Sequence, residues 1–126
     1  MKKLLFIIWL MPTLVFSQYW DWARGIKGNQ YDMGVDIAVD SSSNIYYAGQ
    51  FSSDSIVFGT YTLRRNGRDG NAFLVKYDTL GNVLWARSSA LGYSGAHGLA
   101  IDVFGNPVIT GNYYSPMISF GNNTLS

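Results

Sequence analysis

Sliding the sequence against itself by 62 residues lays Asp36–Asp40 over Gly98–Asp102, and the register then holds without a gap to Ser126. Ala38/Ala100, Asp40/Asp102, Asn44/Asn106, Gly49/Gly111, Ser53/Ser115, Ile56/Ile118, Phe58/Phe120, Gly59/Gly121, Thr62/Thr124 and Leu63/Leu125 are identical, ten of the 29 pairs between 36 and 64 and their partners. Residue frequencies alone give about two. Trp22-Ala23-Arg24 returns as Trp85-Ala86-Arg87 at a spacing of 63, so one residue of slack lies in the Gly-rich connection between. Such self-similarity requires a fold built by stacking one supersecondary unit on its copy.

The unit is made of strands. In Asp69–Arg87, apolar and polar residues alternate on both sides of one tight turn, which predicts two antiparallel strands, Ala72–Tyr77 and Val83–Arg87. The same alternation predicts strands at Trp20–Arg24, Val35–Val39, Ile45–Phe51 and Thr60–Leu63. Ile56–Gly59 reads as a looser segment, and Gly25–Gly34, Arg64–Gly70 and Ser88–Gly95 as connections. All eight acids are Asp and none is Glu, and Gly, Tyr, Ser, Asn and Thr abound. That balance disfavours helix and supplies turns between strands.

Three turns share one pattern: Asp40-Ser-Ser-Ser-Asn44, Asp78-Thr-Leu-Gly-Asn82 and Asp102-Val-Phe-Gly-Asn106. In such a hairpin the Asp side chain accepts from backbone N–H groups downstream, and the fourth position needs positive φ, which suits Gly81 and Gly105. Ser43 departs from the pattern and predicts either strain or a different turn. Asp and Asn oxygens are also calcium ligands, but each turn offers one carboxylate where calcium loops gather several.

Residues 1–17 have the layout of a secretory signal peptide: Lys2 and Lys3, then an apolar run from Leu4 to Phe16, then Ser17 before a cut at Gln18. Without Lys2 and Lys3, seven basic residues face eight acidic ones. This near-neutral balance, with Arg64, Arg65 and Arg68 as its only basic concentration, argues against nucleic acid as a partner. There is no Cys, hence no disulfide and no lipidated N-terminal Cys. The expected location is secreted or at the cell surface, with the periplasm as the alternative, and no membrane span after cleavage.

Asp36-x-Ala38-x-Asp40, Asn44-x-Tyr46-x-x-Gly49, Ile56-x-Phe58-Gly59 and the long motif from Asp69 to Ala86 resemble the bacterial SBBP-type β-propeller repeat. The resemblance runs over nearly all of Trp20 to Leu125. It departs at Gly98, where the first Asp stands in unit one, and at Pro107 and Val108. It implies an all-β fold of antiparallel β-sheet blades of an incomplete β-propeller, about one and two-thirds repeat units: unit one 20–84 and unit two 85–126. It also implies an exported protein of Bacteroidota, cargo of the type IX secretion route. Such cargo usually carries a C-terminal sorting domain; nothing here matches one, so the chain reads as an N-terminal fragment. The isolated fragment is expected to be marginal or aggregation-prone, with open strand edges. Asp78-x-x-Gly81-x-x-x-Trp85 is also close to the tryptophan-docking motif of quinoprotein propellers, one residue short between Asp and Gly. Trp22 and Trp85 are expected to pack between units.

Little in the sequence points to catalysis. There is one histidine, His97, with no Cys and no Glu. Ser94, His97 and Asp102 form a triad on paper only, with no supporting nucleophile motif, and His97 reads as a strand-entry residue equivalent to Val35. Trp20, Trp22, Tyr46, Tyr47, Tyr113 and Tyr114 suggest a carbohydrate or peptide site, against which core filling is the favoured account, and alternation leaves one of Tyr46 and Tyr47 exposed. Asp54-Ser55-Ile56 and Asp78-Thr79-Leu80 resemble O-glycosylation sites of exported Bacteroidota proteins. No catalytic, cofactor-binding or metal residue is assigned and no cofactor is expected. The positions singled out are structural: Trp22, Asp40, Asn44, Gly49, Phe58, Gly59, Asp78, Gly81, Asn82, Trp85, Asp102, Gly105, Asn106, Gly111, Phe120 and Gly121. The expected function is an exported, non-enzymatic module for binding or scaffolding. It would meet an unknown protein or glycan, or further blades of the same protein, through Gly25–Gly34 and Ser88–Gly95. The alternative is a fragment of a secreted hydrolase with catalytic groups beyond residue 126.

Overall fold

The computed structural model describes Tyr19 and residues 21–126. Residues 1–18, and with them the expected signal peptide, and Trp20 lie outside the described residues. Ten strands follow one another: β1 (Asp32–Val39), β2 (Ile45–Phe51), β3 (Ser55–Phe58), β4 (Tyr61–Arg64), β5 (Asn71–Tyr77), β6 (Val83–Ala90), β7 (Ser94–Ile101), β8 (Pro107–Tyr113), β9 (Ile118–Phe120) and β10 (Asn123–Leu125). Among the described residues there is no helix, and so none long and apolar enough to cross a membrane.

β1, β2 and β5 of the first unit and β6, with which the second unit opens, form a four-stranded antiparallel meander, joined by hydrogen bonds to β9 and β10. The β3–β4 hairpin interrupts the meander between β2 and β5 and folds over one face. That face carries Phe51, Phe73, Val75, Tyr77 and Ala86, closed by Ile56, Phe58 and Leu63 from the hairpin and by Ile26. The opposite face presents Ala48, Ala72 and Leu74, against which Ala96, Leu99 and Ile109 of the β7–β8 pair are packed. Period-2 alternation accounts for the division: neighbours along β2 and β5 point to opposite faces, and both faces are covered.

From β7 to β10 the second unit copies β1 to β4 of the first, strand for strand. β7 and β8 repeat β1 and β2, including the register shift, at Gly34/Asp36 in one pair and Ala96/Gly98 in the other. β9 and β10 repeat the β3–β4 hairpin. The pairing of Ala90 with Ser119 repeats the isolated bridge between Lys27 and Val57 one unit earlier.

Four expectations change. The stretch 21–26 forms no ladder, although Trp22-Ala23-Arg24 matches Trp85-Ala86-Arg87 inside β6; alternation makes a strand only beside a partner, and among the described residues this segment pairs with none, the bridge of Lys27 lying just after it. Ser55–Phe58 is a regular strand, because β4 pairs with its whole length. The supposed connection Ser88–Gly95 is mostly strand, with only Leu91–Tyr93 turning, because Ser89 and Ala90 pair with β9. Neither Tyr46 nor Tyr47 is exposed, since β2 is central and sandwiched on both faces.

Candidate functional site

The repeat identities trace to a few local devices, and these place the surfaces a partner meets. In all three Asp-x-x-Gly/Ser-Asn turns the Asp carboxylate accepts from the backbone N–H two and four residues on and from the Asn side chain. For Asp78 these donors are Leu80 N, Asn82 N and Asn82 Nδ2, at 2.8–2.9 Å. Asp40 and Asp102 repeat the arrangement with Ser42 and Asn44, and with Phe104 and Asn106. The Asn side-chain bond, followed by the backbone bonds, holds each carboxyl below the usual Asp range. Ser43 adopts φ 62°, beside 76° at Gly81 and 84° at Gly105, so the serine turn is the same turn with a side chain forced into the left-handed region.

Gly49 and Gly111 serve one purpose. A Cβ at Gly49 would overlap the Met33 carbonyl oxygen, and one at Gly111 would overlap the Gly95 carbonyl oxygen, at equivalent places beside the register shifts. Gly59 and Gly121 turn the two hairpins at φ 57° and 59°. Ser53 and Ser115 tie down the entry loops: Ser53 Oγ accepts from Asn29 N and Gln30 N, and Ser115 Oγ accepts from Tyr93 N. The Gly25–Gly34 connection is thus anchored, and Asp32 completes the anchor by accepting from Ser52 N, Ser53 N and Ser53 Oγ.

Two polar contacts lock one unit onto the next, and others tie together segments of the first unit. Asp36 Oδ2 accepts from Leu99 N at 2.8 Å, at the β7 irregularity. Tyr46 donates its hydroxyl to the Gly105 carbonyl at 3.4 Å. Lys76 pairs with Asp40 at 3.1 Å and lies over the Tyr46 ring at 4.7 Å, with the Trp85 ring edge-on to Tyr46. Bonding to Tyr46, then to Asp40, raises the Lys76 ammonium above its ordinary value. Trp22 stacks on Tyr77 and donates its indole N–H to the Thr79 carbonyl, and Arg24 Nε donates to the Gly81 carbonyl. Trp22 therefore grips the β5–β6 turn, whereas Trp85 sits on the face of its own sheet. Asp32 stands outside the repeat motifs, while Asp36 and Lys76 stand within them with no role legible in the sequence; Asp32 and Asp36 bond residues distant in the chain, and Lys76 reads as an ordinary polar strand position.

The paper triad is not assembled. Ser94 is buried, its hydroxyl 2.6 Å from Ser89 Oγ, and it accepts from Ala72 N. His97 is exposed on β7, and the Asp102 carboxylate is taken up by its own turn. Of the other aromatics, Tyr93 and Tyr114 stack on each other.

A cleft of about 800 Å³ opens beside β8, between the β7–β8 pair and the β9–β10 hairpin, with Trp85, Ile109, Ile118, Phe120 and Leu125 among its walls. Among the described residues no strand pairs with the outer edge of β8.

The chain is an all-β protein of antiparallel sheet units stacked face to face, a partial β-propeller. It is 38% identical over 109 residues to an uncharacterized WD repeat-containing protein of Acanthamoeba polyphaga mimivirus, an alignment covering 81% of this chain and 8% of the relative's length. The chain thus spans a small part of that relative. No family model matches the sequence, and no solved structure matches it.

Proposed function

We propose that the chain is a β-propeller repeat module of the SBBP type, from an exported Bacteroidota protein, that works without catalysis by presenting surfaces for protein or glycan binding and scaffolding. What supports this reading is that β7–β10 repeat the pairings of β1–β4, and that the β7–β8 pair packs on the first unit's sheet. Leu99 and Ile109 of the second unit pack on the cluster that holds Ala48 and Ala72 of the first, and within the β7–β8 pair Gly111 repeats the close approach made by Gly49. A WD repeat relative agrees with such a role. Export rests on the layout of residues 1–17 alone.

The test for export is expression in a Bacteroidota host with the native leader, followed by fractionation and mass spectrometry. A mature N-terminus at Gln18 in the periplasm, at the surface or in the medium supports it; an uncleaved cytoplasmic chain overturns it. For the binding role, glycan arrays and cross-linking of the parent protein at the cell surface are expected to return a saturable partner lost when unit faces are substituted. Hydrolytic turnover by the parent protein would replace the scaffold reading with the hydrolase one.

A further inference from the structure

The connection between β4 and β5 holds Asn66-Gly67, the one Asn-Gly step in the chain. Asn66, Gly67 and Arg68 are exposed, and Gly67 sits at φ 113°, a conformation open to glycine because it has no Cβ to crowd the backbone. The loop is ordered around this step. Asn66 N donates to Asn71 Oδ1 at 2.6 Å, and Asn71 Nδ2 donates to the Asn66 carbonyl at 3.3 Å and to the Gly92 carbonyl at 3.0 Å. Asn71 is fully buried and so fixes the loop from beneath. The Asn66 side chain reaches the β6–β7 turn, where its Oδ1 accepts from Leu91 N at 3.4 Å. Arg65 Nη1 donates to the carbonyls of Gly67 and Arg68. Among the described residues the Gly67 N–H donates to no acceptor.

From these contacts we infer that Asn66 is the site of a spontaneous, one-way modification, in which its side chain closes on the main chain and is converted to aspartyl and isoaspartyl residues. The Gly67 nitrogen bonds to Asn66 Cγ and gives up its proton, the Cγ–Nδ2 bond breaks, and Nδ2 leaves with that proton as ammonia. Water then opens the five-membered imide at either carbonyl, so no oxidant, metal or cofactor is needed. The Asn71 donor on the Asn66 carbonyl draws electrons from the peptide group whose nitrogen attacks, and the Arg65 guanidinium on the Gly67 carbonyl acts in the same sense; both make the Gly67 N–H easier to deprotonate. Leu91 N–H faces the oxygen on which negative charge gathers as the tetrahedral centre forms. Gly67 places no side chain in the path of the ring. Asn44, Asn82 and Asn106 differ, since each is held through Nδ2 by an Asp carboxylate and is followed by Ile, Val or Pro. The product carries a carboxylate where an amide stood, and the isoaspartyl form adds a methylene to the main chain, which moves the carbonyl away from Asn71. The tie that runs through Asn71 to the β6–β7 turn is thereby weakened.

The experiment incubates the full chain at mildly alkaline pH, once native, with its β5 amides protected from exchange, and once unfolded in guanidinium chloride. Peptide maps that separate aspartyl from isoaspartyl products follow every asparagine. Asn66 is expected to convert at least tenfold faster than each of the other eight asparagines, at a native rate no lower than its unfolded rate. Gly67→Ala should slow the conversion at least tenfold, and Asn66→Gln should abolish it. In the converted chain, exchange at Leu91 and Gly92 should quicken. A native rate below the unfolded rate, another asparagine reacting first, or indifference to Gly67→Ala overturns the inference. Unchanged exchange at Leu91 and Gly92 overturns the loosening of the turn alone. None of these outcomes bears on the binding role proposed above.

Discussion

Ser43 carries a conformational cost that its two counterparts avoid. A side chain at φ 62° costs roughly 1–2 kcal/mol, and glycine's greater freedom in the unfolded chain returns roughly 0.5–1 of it. Ser43→Gly is therefore expected to stabilise by about 0.5 kcal/mol, read as a rise of ~2–4 °C in thermal midpoint; an unchanged or lowered midpoint would show that the turn relaxes around serine. Gly81 and Gly105 offer a matched pair. Both have positive φ, but a Cβ on Gly81 would come 2.7 Å from the Trp22 ring, whereas one on Gly105 meets nothing within 4 Å. Gly81→Ala should thus cost about 1 kcal/mol more than Gly105→Ala in chemical denaturation, the excess measuring the grip of Trp22 on the turn. Equal costs would mean that Trp22 does not dock there.

Elements in this chain are stabilised by what covers them, and the two copies of the hairpin separate propensity from cover. β3 and β9 share Ile-x-Phe, yet Phe58 is buried against Phe73 while Phe120 faces the open cleft. Phe58→Ala should cost about 3–5 kcal/mol, as for a filled core position. Phe120→Ala removes a half-open ring and should cost about 1 kcal/mol or less. Urea denaturation of the two variants compares them directly, and a similar loss for both would show that the cleft is closed in solution.

For the whole molecule, charge couples to folding at both ends of the pH scale. The carboxyls of Asp40, Asp78 and Asp102, bonded first by their Asn side chains, and that of Asp54, bonded first by Arg65, lie below their ordinary value. A depressed acid stabilises the fold above its unfolded pKa, so this contribution is intact above about 4 and is lost as pH falls toward the folded values. Tyr47 and Tyr77, raised by burial, and Lys76, raised by its bonds to Tyr46 and Asp40, act in the opposite sense. Their contribution is present below about 10 and is lost as pH rises through the folded values. Urea midpoints are expected to be level between these limits and to fall on either side. Asp78→Asn should flatten part of the acid limb, and an acid limb unchanged by that substitution would count against the turn as its source.

Alternation and self-similarity in the sequence determined the all-β architecture, most of the strands and the places of the tight turns. These depend on local chemistry: alternation selects a strand, and Asp with a downstream Gly and Asn closes a hairpin, wherever the segment lies. The identities Gly49/Gly111 and Ser53/Ser115 were visible as well, but not their reasons, a carbonyl passing the glycine and a hydroxyl holding a distant loop. Only the tertiary structure decided which copies become strands or core. Trp22-Ala23-Arg24 and Trp85-Ala86-Arg87 are the same three residues, yet only the second lies in a ladder, because β5 runs beside it. Phe58 and Phe120 differ likewise in burial, and the cleft beside β8 exists because its neighbouring edge is free. Pairing and burial belong to two segments at once, so one segment's sequence states its capacity for them and the presence of the other decides whether it is used.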